Sequence, residues 1–145
     1  MSLEQFVTPN CFVRWGEVLV SKQYPEIARK ILLQDHHKER VKFCVQSCID
    51  PWRLEHPKIP MFFLSWVRNQ ELNELIGGSK DSDHMHANAF DCHVKDMSAM
   101  SFFCSILEMG LPYRQLILYL KSNFVHWSVN IPGRDCKRQI LIKEA

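Results

Sequence analysis

The chain has 145 residues, 46% hydrophobic and 23% charged, the balance of a globular domain rather than a disordered, collagenous or coiled-coil chain. Eighteen Lys+Arg against sixteen Asp+Glu leave a net charge of +2, too small to predict electrostatic binding of nucleic acid or anionic lipid. No apolar run reaches the roughly 18 residues of a membrane span. Length favours one domain over residues 1–145, with a monomer as the default expectation. Met1 to Phe12 carry neither a basic start nor an apolar stretch, so no secretory signal is expected and synthesis is placed in the cytoplasm.

Pro25 opens a predicted helix through Ile27, Ile31 and Leu32, since proline suits a first turn. A second helix is predicted from about His37 to Ile49 and is expected to stop near Pro51. Within it Val41, Cys44, Val45, Cys48 and Ile49 form one apolar stripe. Lys58 to Ser65 reads as a buried strand. Asn69 to Ile76 reads as a short helix ended by Gly77-Gly78. Ala87 to Val94 alternates as a strand, and Asp96 or Ser98 caps a helix running to Met109, with Gly110 as its stop. Arg114 to Leu120, Phe124 to Asn130 and Gln139 to Lys143 read as strands, the first two joined as a hairpin through Lys121-Ser122-Asn123. Helices early and strands late predict an α+β fold with a small antiparallel sheet.

Six cysteines and seven histidines stand out. No C-x-x-C pair occurs, and Cys44 and Cys48 fall on the apolar stripe, so reduced, core-packed thiols are expected. His36 and His37 belong to a charged run that reads as a solvated helix start. The informative segment is Ser82-Asp83-His84-Met85-His86-Ala87-Asn88-Ala89-Phe90-Asp91. On its strand, Ala89, Asp91 and His93 share one face, opposite Phe90, Cys92 and Val94. An Asp inside a strand needs a partner. Farther on, Phe124, His126 and Ser128 share a strand face. Two imidazoles and a carboxylate suit zinc and leave a fourth coordination position open. On spacing alone the metal signal is weak, since a lone strand His is more often a hydrogen-bonded core residue.

The segment Ser82 to Asp91 resembles the zinc-binding signature of the D-alanyl-D-alanine carboxypeptidase and L-alanyl-D-glutamate endopeptidase family. Ser82, His84, Ala89 and Asp91 match its pattern, with Ala87 at a glycine position. Upstream, Ser65, Arg68, Leu72 and Asn73 match the family's Ser-Gly-Tyr-Arg-Ser-Pro-x-Leu-Asn segment. Downstream, Phe124 to Val129 resembles the strand that carries its third ligand. The likeness is closest to short, phage-type members and extends to Leu3–Phe6 and Arg138–Leu141. It implies a Hedgehog/DD-peptidase fold, with a small antiparallel sheet and helices mainly on one side. It implies His84, Asp91 and His126 as zinc ligands, Arg68 as a catalytic and substrate-binding residue, and Ser82 and His93 as candidate substrate contacts. It also implies peptidoglycan stem peptides as substrate, reached after release from the cell or as part of a virion.

The sequence departs from that pattern at the general base. Asn123 stands three positions before His126 and cannot accept a proton. Tyr113 to Tyr119 resembles a family run of Phe-Asp-Gln-Leu-Ile-x-Glu, with Arg114 for the Asp and Tyr119 for the Glu. Tyr119 is therefore the residue at the acidic catalytic position, and a phenol is a poor base. Asp83 and Glu71 are the nearest alternative carboxylates. Two readings follow: a zinc peptidase, or a catalytically impaired zinc-binding or cell-wall-binding module of the same fold.

Overall fold

Five strands carry the fold in the computed structural model, which describes residues 1–145: β1 (Met61–Ser65), β2 (Ala89–Val94), β3 (Gln115–Tyr119), β4 (Phe124–Ser128) and β5 (Gln139–Lys143). They form one sheet in the order β1-β2-β4-β3-β5. The first four pair antiparallel, as expected, and β3–β4 is the predicted hairpin. Strand β5 adds to β3 in parallel, so the sheet is mixed. The cause is the connection through residues 129–138, which carries the chain back to the start of β3, where the Gln139 amide donates to the Arg114 carbonyl. The α+β class holds.

Alternation along the strands divides the sheet into two unlike faces. Phe90, Cys92, Leu116, Leu118, Val125 and Trp127 are buried in one apolar core with the helices. Helix α6 (Ala99–Glu108) covers this face with Phe102, Phe103 and Ile106. Trp52, Trp66 and Trp127 are fully buried, each such side chain contributing on the order of 2–3 kcal/mol through burial. Two of the three indole N–H groups are paired, and Trp66 Nε1 is buried without a partner. Trp52 Nε1–H donates to Ser105 Oγ at 2.8 Å and Trp127 Nε1–H to the Pro112 carbonyl at 2.9 Å. The opposite face holds Asp91, Tyr119 and His126.

Helix α1 (Trp15–Val18) lies outside the predicted elements, and α2 (Pro25–Arg29) is shorter than predicted. The chain leaves α2 after little more than one turn, so Ile31 is buried while Leu32 is 91% exposed. The helix expected to stop near Pro51 does not stop there. Helix α3 (Asp35–Cys44) passes through a π-helical turn, Val45–Ile49, into α4 (Asp50–Glu55). Proline lacks an N–H and crowds the carbonyl four residues back. The wider turn, in which the Asp50 amide donates to the Val45 carbonyl, accommodates Pro51 without ending the helix. The apolar stripe survives: Val41, Cys44, Val45, Cys48 and Ile49 are all fully buried.

Helix α5 (Gln70–Ile76) is capped by Asn69 and ends at Gly77 in the left-handed region, φ 78°. Ser98, not Asp96, caps α6, accepting from the Ser101 amide. No cysteine is paired; Cys11, Cys44, Cys48 and Cys92 are buried, whereas Cys104 and Cys136 are exposed. Burial pushes the Cys44, Cys48 and Cys92 thiols up, which keeps them neutral.

Candidate metal centre

Strand register brings the first two candidate ligands together. Asp91 on β2 lies directly opposite His126 on β4, both on the face away from the core. An irregularity in β1 between Phe63 and Ser65 sets Ser65 opposite Asp91 on the other side. His84 comes from a short 3₁₀ turn, Asp83–His86, that precedes β2. Ser82 starts that turn, its Oγ accepting from the His84 amide at 3.2 Å. The Arg68 amide donates to the His84 carbonyl at 3.1 Å, tying the turn to the segment after β1.

The side chains converge. Asp91 Oδ1 is 2.9 Å from His126 Nδ1 and 3.3 Å from His84 Nε2. One ligand atom from each of His84, Asp91 and His126 lies within 4.8 Å of the others. Three donors so placed, one a buried carboxylate, match the nitrogen and oxygen set that zinc takes. His84 Nδ1 is 2.7 Å from the Trp66 carbonyl, a contact only an N–H can satisfy. It fixes the tautomer and leaves the Nε2 lone pair facing Asp91, as ligation requires. Burial lowers the His84 pKa and favours the neutral imidazole. Burial alone would raise the Asp91 carboxyl, but His84 and His126 outweigh it and hold that group well below the carboxylate range. The donor set fits a divalent metal.

Arg68 stands beside this group, its Nη2 3.7 Å from Asp91 Oδ2. Its orientation is fixed by neighbours that the sequence motif contained without explaining. Arg68 Nε–H donates to Ser65 Oγ at 3.2 Å, and Nη1–H donates to Asn73 Oδ1 at 3.3 Å. Asn73 is buried and its Nδ2 donates in turn to the Ser79 carbonyl at 2.8 Å. A Cβ at Gly78 would collide with Asn73 Oδ1 and come within 3.0 Å of Arg68 Nη1, so this position needs glycine. Arg68, Asp91 and Tyr119 line a cavity of about 480 Å³ together with Lys22, Ser65 and Ile76. Asp91 is the one carboxylate lining it.

Tyr119 reaches the cavity wall, its ring stacked on Phe124 at 4.6 Å between centroids. Burial and the nearby Asp91 charge raise its pKa, with Arg68 opposing, so the phenol stays protonated and can donate. The alternative carboxylates are elsewhere. Asp83 is buried, with Arg114 Nη1 at 2.7 Å from Oδ2 and Arg134 Nε at 2.9 Å from Oδ1. Glu71 is exposed in the first turn of α5. Asn123 has a structural task, its Oδ1 accepting from the Ala99 amide at 2.9 Å. His93 shares the Asp91 face but is turned to Phe62, at 5.3 Å between ring centroids, and does not line the cavity. Ser82 borders a separate polar cavity of about 340 Å³ with Asp83, Arg114, His126 and Arg134. Lys22 and the Arg114–Asp83–Arg134 cluster had no sequence signal, because their members are far apart along the chain.

Residues 33–128 match the family model described as Peptidase M15, a span that contains all three converging side chains and Arg68. The chain belongs to the Peptidase M15 family. No curated protein matches it. Peptidase M15 membership makes the chain a member of a zinc-dependent peptidase family, and its His84-Asp91-His126 group could hold a metal ion.

Proposed function

We propose that this M15 protein is a zinc metallopeptidase that hydrolyses peptide bonds in bacterial peptidoglycan stem peptides, with His84, Asp91 and His126 as the zinc ligands. The observation that carries the reading is the convergence of those three donors, with Asp91 among them lining the cavity that also presents Arg68. Zinc held there would polarise the scissile carbonyl and lower the pKa of a bound water toward about 7. The chain's residues supply the rest. The Trp66 carbonyl keeps His84 in the ligating tautomer, and Asp91 contributes negative charge that offsets part of the metal's. Arg68, braced by Ser65 and Asn73, offers a fixed donor fork to a peptide carboxylate or to the developing oxyanion. Tyr119, lining the same cavity, keeps a protonated phenol that can donate to a bound peptide.

A specific observation favours a second reading, a zinc-retaining cell-wall module without turnover. The cavity has no carboxylate besides Asp91 to act as general base, and the Tyr119 phenol is held protonated. Zinc stoichiometry measured together with a mass-spectrometric muropeptide digest separates the two. One zinc per chain with new peptide termini supports the peptidase. One zinc with no cleavage by the natural chain, but cleavage by Tyr119→Glu, supports the module. Zinc content unchanged in both His84→Ala and His126→Ala would overturn the assigned ligand set.

A further inference from the structure

Strand β5 ends the sheet with an unprotected edge. Its pairing to β3 runs from Gln115↔Gln139 to Tyr119↔Lys143, with the Gln139 amide donating to the Arg114 carbonyl and the Lys143 carbonyl accepting from the Leu120 amide. Gln139, Leu141 and Lys143 therefore turn their backbone groups toward β3, and Ile140 and Ile142 turn theirs outward. Both outward residues carry exposed apolar side chains, Ile140 at 45% and Ile142 at 60%. They extend the apolar face of Leu116 and Leu118, their partners in register, past the edge of the core. Natural edges are usually blunted by short length, lysine, proline, a bulge or an inward-pointing charge, and of these β5 has only its five-residue length and Lys143. Strand β5 has no proline and pairs with β3 without a shift in register.

We propose that β5 is a self-association surface, on which a second copy of this chain adds its own β5 antiparallel about a two-fold axis at Leu141. Of the registers available, this one satisfies backbone, apolar and charge requirements together. Centring on Leu141 sets Ile140 opposite Ile142 of the other copy. These are the residues with outward backbone groups, so each such pair exchanges both ladder hydrogen bonds. The same alignment sets Arg138 opposite Glu144, the residues that flank the strand, an opposite-charge pair on each side of the axis, with Arg138 Nε–H also donating to Tyr113 Oη at 3.2 Å. Lys143 faces Gln139. Centring on Ile140 instead would oppose Lys143 to Lys137, like charges across the strands. The arrangement is isologous and closes at two copies, with a continuous sheet and both metal-ligand faces on the same side. An interface built on one short strand belongs with small interfaces, those under about 1,200 Å², so association depends on concentration.

Sedimentation velocity of the full chain over a wide concentration series tests this, with thermal melts confirming that every variant is folded. The weight-average mass should rise from one copy toward two as concentration increases. Ile142→Lys puts a charge on the edge, and Ile140→Pro removes an outward N–H that β3 does not use. Each should raise the half-association concentration by about tenfold or more. Glu144→Arg should weaken association, and Arg138→Glu with Glu144→Arg should restore it, because the pair is exchanged rather than removed. A single-copy mass at every concentration overturns the proposal. So does a dimer that Ile142→Lys and Ile140→Pro leave unchanged, or a charge exchange that fails to rescue Glu144→Arg.

Discussion

At the residue scale, the candidate metal centre neighbours residues whose local roles compete with backbone preference. Ala87 is the clearest case. It follows the 3₁₀ turn carrying His84 and adopts φ 62°, a conformation glycine takes without penalty. The left-handed geometry costs an Ala about 1–2 kcal/mol. Ala87→Gly relieves that strain but removes a fully buried methyl, about 0.8 kcal/mol, and loosens the unfolded chain by about 0.4–1 kcal/mol. The terms nearly cancel, so urea denaturation should show a change of less than about 1 kcal/mol. Asp81 gives a pH signature. The His86 hydrogen bond, followed by that of Arg134, lowers its carboxyl to about 2 although the side chain is exposed. With a folded value below the unfolded one, this contribution to stability is present above about pH 4 and fades as pH falls toward 2. Solvent screening keeps it small. Carbon-13 NMR titration should place the Asp81 midpoint near 2 in the natural chain and higher in Arg134→Gln.

At the scale of elements, apolar periodicity located most helices and strands, and backbone exceptions account for the misses. Pro51 reads as a stop because a regular α-helix cannot absorb it, yet the π turn before it does. The parallel placement of β5 was not legible, since strand direction depends on where the loop at 129–138 returns the chain. Asn123 shows how one position serves two elements. It sits at φ 56° in the β3–β4 turn and caps the start of α6 through the Ala99 amide. Asn tolerates that conformation, Gly tolerates it without the cap, and Ala lacks both advantages. Chemical denaturation should therefore rank stability as Asn above Gly above Ala, with Asn123→Ala losing about 2–3 kcal/mol. The fold thus accounts for an amide at the position three before His126.

At the scale of the whole molecule, the three donors join the 3₁₀ turn, β2 and β4, so a metal there would link three separate segments. Ligand that binds only the folded state adds stability by mass action, about 2.7 kcal/mol at one hundred times Kd. Zinc should thus raise Tm by roughly 5–15 °C in calorimetry. A chelator should reverse the rise, and His126→Ala should abolish it. The sequence by itself determined the α+β class, the apolar stripe and the candidates His84, Asp91, His126 and Arg68, because periodicity and short motifs are local properties of a chain. Only the tertiary structure decided which of them meet. Register set Asp91 opposite His126, and the Trp66 carbonyl set the His84 tautomer. Ion pairs with Arg114 and Arg134 removed Asp83 from contention, and the β-strand pairing left His93 against Phe62 rather than in the cavity. These outcomes rest on contacts between residues distant in sequence, whose geometry is fixed only when the strands pair and the helices pack.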